Sequence, residues 1–394
     1  MLVRDPRNLR LLAFGYLLAF LSSFGQTFFI GLFSPHIQAA TGLDHAGLGM
    51  VYAVATLASG LLLLWAGALI DRMPLGVYLT GAALLYAVGC ILIGVAGGFV
   101  VLTAAVFLLR FSGQGLFSHI AITTVARNFH VARGRALSIS YLGHPTGEAV
   151  LPPLFVLLMG MFVWQHMWFW IAGLLVIMLP VLMALPRRIT TVPHHRDSKQ
   201  ANDHATSLTR AQVLRDRHFH LILPTLLIPG FVVTGIFIHQ GVLVAGKGWT
   251  PSWFAWTFVL FAIGQVVGNL GAGQLVDRLS ARRLMPFFLL PLAVGCTAAA
   301  MGQHPWLAAV LMAGAGLTAG SMSPITNAMW VETYGTRHLG AIRALAVSIL
   351  VVSSALSPAL FGILIEGGVG IDPILAVSAA GCGLAAVLAA RTRP

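Results

Sequence analysis

Two charges in this chain stand where charge is expensive. Arg110 lies near the middle of one apolar stretch (98–124) and Glu148 near the middle of another (134–160). Every other Asp, Glu, Lys or Arg can be placed at or outside a membrane surface. An ionisable group in hydrocarbon costs roughly 2.5–3.5 kcal/mol on insertion scales, which marks it as functional by default. The planar guanidinium suits a two-bond grip on a carboxylate. A glutamate takes up a proton in apolar surroundings and releases it beside a cation. At similar depth on consecutive segments the two residues could pair, keeping Glu148 ionised. A carboxylate competing for Arg110 would then free Glu148 to protonate, which is the chemistry of proton–anion symport. Arg110 has two readings at this point: a substrate anchor, or a structural cation satisfied by Glu148 and backbone carbonyls. For the pair together, the plain alternative is a static ion pair that fixes helix packing.

Several uncharged polar residues also fall inside apolar stretches: Gln26, Thr27, Gln114, Gln265, Asn269 and Asn327. Polar side chains in lipid turn toward protein or water, so these are candidates for a substrate cavity. His144, before Pro145, is a candidate proton-coupling residue, and His239, before Gln240, a candidate substrate contact. His119 is more simply read as donating to a helix carbonyl. The loop residues His194, His195 and His204 could hold a metal, but a solvated linker is the simpler reading. The sequence carries no Walker-type loop, no metal-ligand cluster and no nucleophile–base arrangement, so an enzyme, a cofactor and a bound metal are not expected.

The elements that position these residues are spans of a membrane protein. Hydrophobic residues make up 58% of the chain and charged residues 9%, against about 25% charged in soluble domains. Twelve apolar segments can be marked, near 10–33, 48–70, 75–96, 98–124, 134–160, 166–186, 219–245, 252–275, 284–302, 305–331, 339–365 and 371–390. Each is close to the ~20 residues that cross a bilayer as a helix. The first is too long for a signal peptide and lacks a small-residue cleavage site. One long polar loop, 187–218, falls between the sixth and seventh segments. It predicts a six-helix bundle over 1–186, a cytoplasmic linker over 187–218 and a second bundle over 219–394. All but two of the 23 Lys and Arg fall on the N-terminus, the C-terminus and alternate loops; the exceptions are Arg110 and Lys247. The positive-inside rule then places both termini in the cytoplasm. The same distribution explains the net charge of +12 without a nucleic-acid partner. Cys90, Cys296 and Cys382 fall in separate segments and read as small packing residues.

The halves repeat. GALIDR (67–72) ends the second segment and GQLVDR (273–278) the eighth, putting Asp71 and Asp277 206 residues apart. RALSIS (135–140) opens the fifth segment and RALAVS (343–348) the eleventh, 208 apart. Parallel repeats of this kind place substrate near the midplane, between the halves. Small-xxx-small spacings, such as Gly143 with Gly147 and Gly264 with Gly268, allow close helix approach. Pro145, Pro152, Pro153 and Pro358 should kink their helices.

With Gly67-x-Leu69-x-Asp71-Arg72 recurring in the second half, the chain resembles the major facilitator superfamily over essentially its whole length. The pattern from Arg133-x-Arg135-x-Leu137-Ser138 through Pro152-Pro153-Leu154, with Phe28-Phe29-x-Gly31-Leu32-Phe33-x-Pro35, resembles its monocarboxylate and oxalate–formate porter branch. The acidic-Gly and Gly-Trp pattern of many first helices is missing, and the eighth helix has no Arg. The resemblance implies an all-α polytopic fold of twelve helices in two parallel six-helix repeats, with the fourth helix facing the cavity. It implies a gating role for Asp71, Arg72, Asp277 and Arg278, with Glu332 as a possible partner. It also implies a secondary transporter of small organic anions, working as a monomer by alternating access. An efflux antiporter for amphipathic drugs or metabolites is the alternative, with Glu148 as its proton and cation site. The inside-positive loops fit a plasma membrane or bacterial inner membrane.

Overall fold

The computed structural model describes residues 5–129, 132–186, 210–335 and 338–392. Most of the expected linker, with His194, His195 and His204, lies outside them. Among the described residues all regular structure is helical, as a hydrocarbon environment requires of a backbone that must satisfy its own hydrogen bonds.

The chain divides into two compact units. The first takes the described residues of Met1–Pro193 together with Phe237–Gly241 and Pro358–Ile363; the second takes those of His194–Ile236, Val242–Ser357 and Leu364–Pro394. In chain order the first stretch holds α1 (Pro6–Leu21), α2 (Thr27–Leu32), α3 (Ser34–Thr41), α4 (His45–Ala66), α5 (Leu75–Gly94), α6 (Phe99–Leu108), α7 (Ser118–Asn128), α8 (Arg133–Tyr141), α9 (Gly143–Met159) and α10 (Trp164–Ala184). Then follow α11 (Arg210–Arg215), α12 (Arg217–Ile238), α13 (Gln240–Gly246), α14 (Pro251–Leu279), α15 (Ala281–Leu284), α16 (Leu290–Met301), α17 (Trp306–Tyr334), α18 (Leu339–Glu366) and α19 (Ile371–Ala390).

Ten of the helical stretches among the described residues are long and apolar enough to cross a bilayer. The fifth and ninth of the segments marked in the sequence are not among them. The ninth contains the shorter α16. The fifth is divided into α8 and α9 around Leu142. Pro145 explains the division: it has no amide to give the Tyr141 carbonyl four residues back, and its ring crowds that turn.

Glycine is what permits the closest helix approaches. In unit two α14 packs on α17, and a Cβ on Gly268 would fall 2.4 Å from the Leu317 carbonyl oxygen, one on Gly320 2.1 Å from that of Gln265. In unit one a Cβ on Gly143 would sit 2.1 Å from the Tyr16 carbonyl oxygen, which brings α9 against α1. The small-residue spacings are therefore packing features. Cys90, Cys296 and Cys382 are free and fully buried, in keeping with their reading as packing residues. Lys247 is buried in unit two against Asp372 at 2.5 Å and donates to the Gly302 carbonyl at 3.0 Å.

Candidate functional site

Two irregular backbone segments meet inside unit one. The first helix stops at Leu21, turns through a 3-10 segment Ser22–Gly25, extends at Gln26 and restarts as α2. Between α6 and α7 the chain runs as a π-helix over Leu109–Phe117. These two segments pack on each other. The contact is close enough that a Cβ on Gly25 would lie 2.3 Å from the Leu109 carbonyl oxygen. Broken helices are tolerated at membrane depth only where protein or a cavity satisfies the freed backbone. Tyr86 of α5, fully buried, does so here: its hydroxyl lies 3.1 Å from the Leu21 carbonyl and 3.3 Å from that of Ser22, to which it donates. Its ring packs on Gly113 of the π-helix. π-Helical turns cluster at functional sites, and this one carries Arg110 and Gln114.

The Arg110 side chain is 7% exposed. Its Nη1 donates to Thr27 Oγ1 at 3.2 Å, and its guanidinium carbon lies 5.1 Å from the ring centroid of Tyr52 on α4. Thr27 and Tyr52 share a hydroxyl–hydroxyl hydrogen bond. Nε of Arg110 is buried with no hydrogen-bond partner. A hydrogen bond to a charged group contributes about 1.5–3 kcal/mol and a desolvated cation–π contact about 2 kcal/mol. Burying an unpaired ion costs several kcal/mol, so these contacts do not replace a counter-charge. Gln26, at the break itself, is nearly buried, and Gln114 is half-buried. Of this neighbourhood, Tyr52 and Tyr86 were not singled out by the sequence. Each is a tyrosine in a mostly apolar helix, and only the tertiary fold reveals what its hydroxyl meets.

Glu148 is not on Arg110. The expected pair is corrected by α9: Glu148, 5% exposed, faces His144 one turn earlier, with Oε1 3.5 Å from Nδ1. The His144 ring stacks on Tyr141 at 5.7 Å between centroids. The division at Leu142 starts α9 at Gly143, which puts His144 and Glu148 on one face at helical i,i+4 spacing. The arrangement joins an imidazole and a carboxylate in a largely buried place.

The remaining positions divide between the units. His239 is buried in unit one, its Nε2 donating to the Pro358 carbonyl at 2.8 Å, with its ring 5.9 Å from that of His45 and 6.4 Å from that of Phe361. Gln265, Asn269 and Asn327 belong to unit two. Asn269 Nδ2 donates to the Gly320 carbonyl at 3.5 Å, and Asn327 Nδ2 to Ser323 Oγ at 3.1 Å. His119 bonds the Gly67 carbonyl at 3.0 Å, the plain role expected of it.

The repeated GxLxDR motifs are held differently in the two units: the first is a 3-10 turn over Gly67–Asp71, and the second is the last part of α14. Asp71 pairs with Arg127 at the end of α7, a partner the sequence did not suggest, and Arg72 is exposed. In unit two Asp277 and Arg278 are exposed, while Glu332 at the end of α17 reaches the chain just past them. Its Oε1 accepts from the Ala281 amide at 2.8 Å and its Oε2 from the Arg282 amide at 3.2 Å. Arg282 returns a bond to the Glu332 carbonyl at 3.0 Å. A carboxylate on the first amides of α15 matches the positive end of a helix. Arg127 thus holds the motif itself in unit one, whereas in unit two Glu332 holds the start of α15 just beyond the motif.

The Major Facilitator Superfamily profile matches residues 15–250 and 230–394. No protein of curated function matches the sequence. Among solved structures, a point mutant of the nucleoside transporter NupG aligns at a TM-score of 0.69 and 14% identity, over 97% of this chain and 98% of that one. A bacterial homolog of the human lysosomal transporter Spinster, in an inward-facing and occupied conformation, aligns at 0.70 and 14%, over 99% and 98%. At such identities the likeness is one of fold.

Proposed function

Because the chain belongs to the Major Facilitator Superfamily, whose members here are transporters rather than enzymes, we propose that it carries a small monocarboxylate-like organic anion across the membrane by alternating access. The observation that supports this is the state of Arg110: a buried guanidinium on the π-helical turn, held by one hydroxyl and one aromatic face, with Nε unpartnered. A carboxylate supplies the missing charge and bonds two donors of the fork. Gln26 and Gln114 flank it in unit one, and His239, Gln265, Asn269 and Asn327 complete the proposed set of substrate contacts. The twelve-span reading, with bundles at 1–186 and 219–394, a cytoplasmic linker at 187–218 and both termini in the cytoplasm, belongs to this proposal. So do the monomeric state and a plasma or bacterial inner membrane location.

Proton coupling is assigned to Glu148 and His144. With Arg110 elsewhere, substrate does not displace Glu148 from a shared ion pair. Coupling runs instead through the charge of the whole site, which is neutralised by anion and proton together before the carrier reorients. Asp71, Arg72, Asp277, Arg278 and Glu332 act as gates whose contacts break in the cycle. The separation of Glu148 from Arg110 also favours a second reading, efflux of amphipathic compounds against protons, with Glu148 as the cation site and Arg110 as scaffold.

A melting-temperature screen of the purified protein against small carboxylates and amphipathic cations separates the two. The anion reading expects carboxylates to raise the melting temperature of the wild type, with no shift for Arg110→Ala and a reduced one for Arg110→Lys, which keeps charge but loses the fork. Stabilisation by cations alone, equal in wild type and Arg110→Ala, supports efflux and contradicts the anion reading.

A further inference from the structure

Unit one includes two short segments from later in the chain, Phe237–Gly241 and Pro358–Ile363. Glycines let both lie tightly against its first helices. A Cβ on Gly31 would fall 1.9 Å from the Phe237 carbonyl oxygen, one on Gly49 2.2 Å from that of Pro358, and one on Gly362 2.2 Å from that of His45. Gln240 Nε2 donates to the Phe28 carbonyl at 3.1 Å. His239 is enclosed in this seam, 2% exposed. Its Nε2–H goes to the Pro358 carbonyl, so Nδ1 is the bare nitrogen of a neutral ring, buried with no hydrogen-bond partner. The neighbouring group is a second imidazole, that of His45. His45 is the first residue of α4, and its Nδ1 lies 3.0 Å from Gln38 Nε2.

We propose that the His239–His45 contact is an acid-sensitive latch, which holds this seam closed while both rings are neutral and releases it on protonation. A neutral imidazole has one donor and one acceptor nitrogen, whereas the imidazolium has two donors. A second N–H on His239 would be buried without an acceptor, and its charge would stand beside a ring that can itself charge. The positive end of α4 disfavours charge on His45 as well. The other titratable groups on the surrounding elements have their own contacts or lie farther off. Asp44 accepts from the Gly47 amide, His36 stacks on Trp164, and Tyr52 bonds Thr27. Glu366 is about two turns beyond Pro358 on α18, and Lys247, past α13, is on Asp372. The closed seam thus excludes a proton that an open, wetted His239 would accept near the ordinary histidine value of about 6.5. Closure is complete above that pH and is lost as pH falls below it, by up to about tenfold per pH unit for each proton taken up. The latch stands apart from the anion reading of Arg110.

A cysteine in the seam reads its opening without any substrate. Ser34 is buried and precedes Pro35, on which Gly241 packs, so the thiol of Ser34→Cys is hidden while the seam is closed. Cys90, Cys296 and Cys382 are buried, and the protein without the added cysteine supplies the background rate. Labelling by a small pyridyl disulfide is followed in detergent at about pH 8 and about pH 5.5, on either side of the histidine range. Each rate is divided by that of a cysteine peptide at the same pH. Ser34→Cys alone is expected to label about tenfold faster, on this relative scale, at the lower pH. Adding His239→Gln, which keeps an N–H for Pro358 but takes up no proton, should abolish the acceleration. Adding His45→Gln, which removes the neighbouring charge, should reduce it. No acceleration in Ser34→Cys alone, or full acceleration with His239→Gln, overturns the latch. Should His239→Gln fail to fold, full acceleration with His45→Gln overturns it.

Discussion

On the proposed reading, Arg110 and Glu148 divide the chemistry between them. Both are nearly buried, yet each has its own surroundings: a hydroxyl and an aromatic face for the cation, an imidazole one turn away for the carboxylate. That separation allows one function to be removed without the other. Glu148→Gln keeps size and hydrogen-bonding capacity but cannot carry a proton. Reconstituted, it is expected to lose accumulation driven by a proton gradient while keeping exchange of labelled for unlabelled substrate at equal pH on both sides. Accumulation equal to wild type in that variant would sink the coupling role and leave Glu148 as a packing residue. The charges themselves were legible from type and depth alone. Their separation was not, because it depends on which face of α9 Glu148 occupies, and the packing of α9 on α1 and its neighbours fixes that face.

At the scale of elements, the site depends on two faults in otherwise regular helices. The 3-10 turn Ser22–Gly25 and the π-helix Leu109–Phe117 each give up regular bonds, and they meet across Gly25. Tyr86 compensates the first. Tyr86→Phe leaves those carbonyls without their donor and is expected to lower stability by about 1–3 kcal/mol. Gly25→Ala forces a methyl onto the Leu109 carbonyl and is expected to cost about 1–3 kcal/mol or more, as overpacking does. Both are read by thermal unfolding in detergent; melting temperatures equal to wild type would show that the junction is loose. The apolar runs, the positive-inside pattern and the repeat made the helical membrane fold readable, since composition and length dictate it. The faults were not readable. Ser, Gly and Gln occur throughout these helices, and only packing between distant spans decides where a helix opens.

At the scale of the whole molecule, the two halves share a plan and differ in use. The 67–72 motif is tied to the end of α7 through Asp71 and Arg127, whereas Glu332 ties the end of α17 to the start of α15, just past the repeat at 273–278. The Asp71–Arg127 pair is well exposed, and such pairs contribute about 0–1 kcal/mol to stability. A contact that weak can be broken and remade in a transport cycle at little cost, which suits a gate better than a brace. Arg110, by contrast, has no charged counterpart in the second half: with the repeat offset of about 206, the equivalent position falls near Gly316. Structure is duplicated while charge recognition is not, so on the anion reading selectivity belongs to unit one. Counterflow of a labelled short-chain monocarboxylate into proteoliposomes, with equal pH on both sides, tests this most directly. Rapid counterflow is predicted for the wild type, and none above protein-free vesicles for Arg110→Ala with its fold intact. Counterflow by Arg110→Ala at the wild-type rate would contradict anion recognition by Arg110.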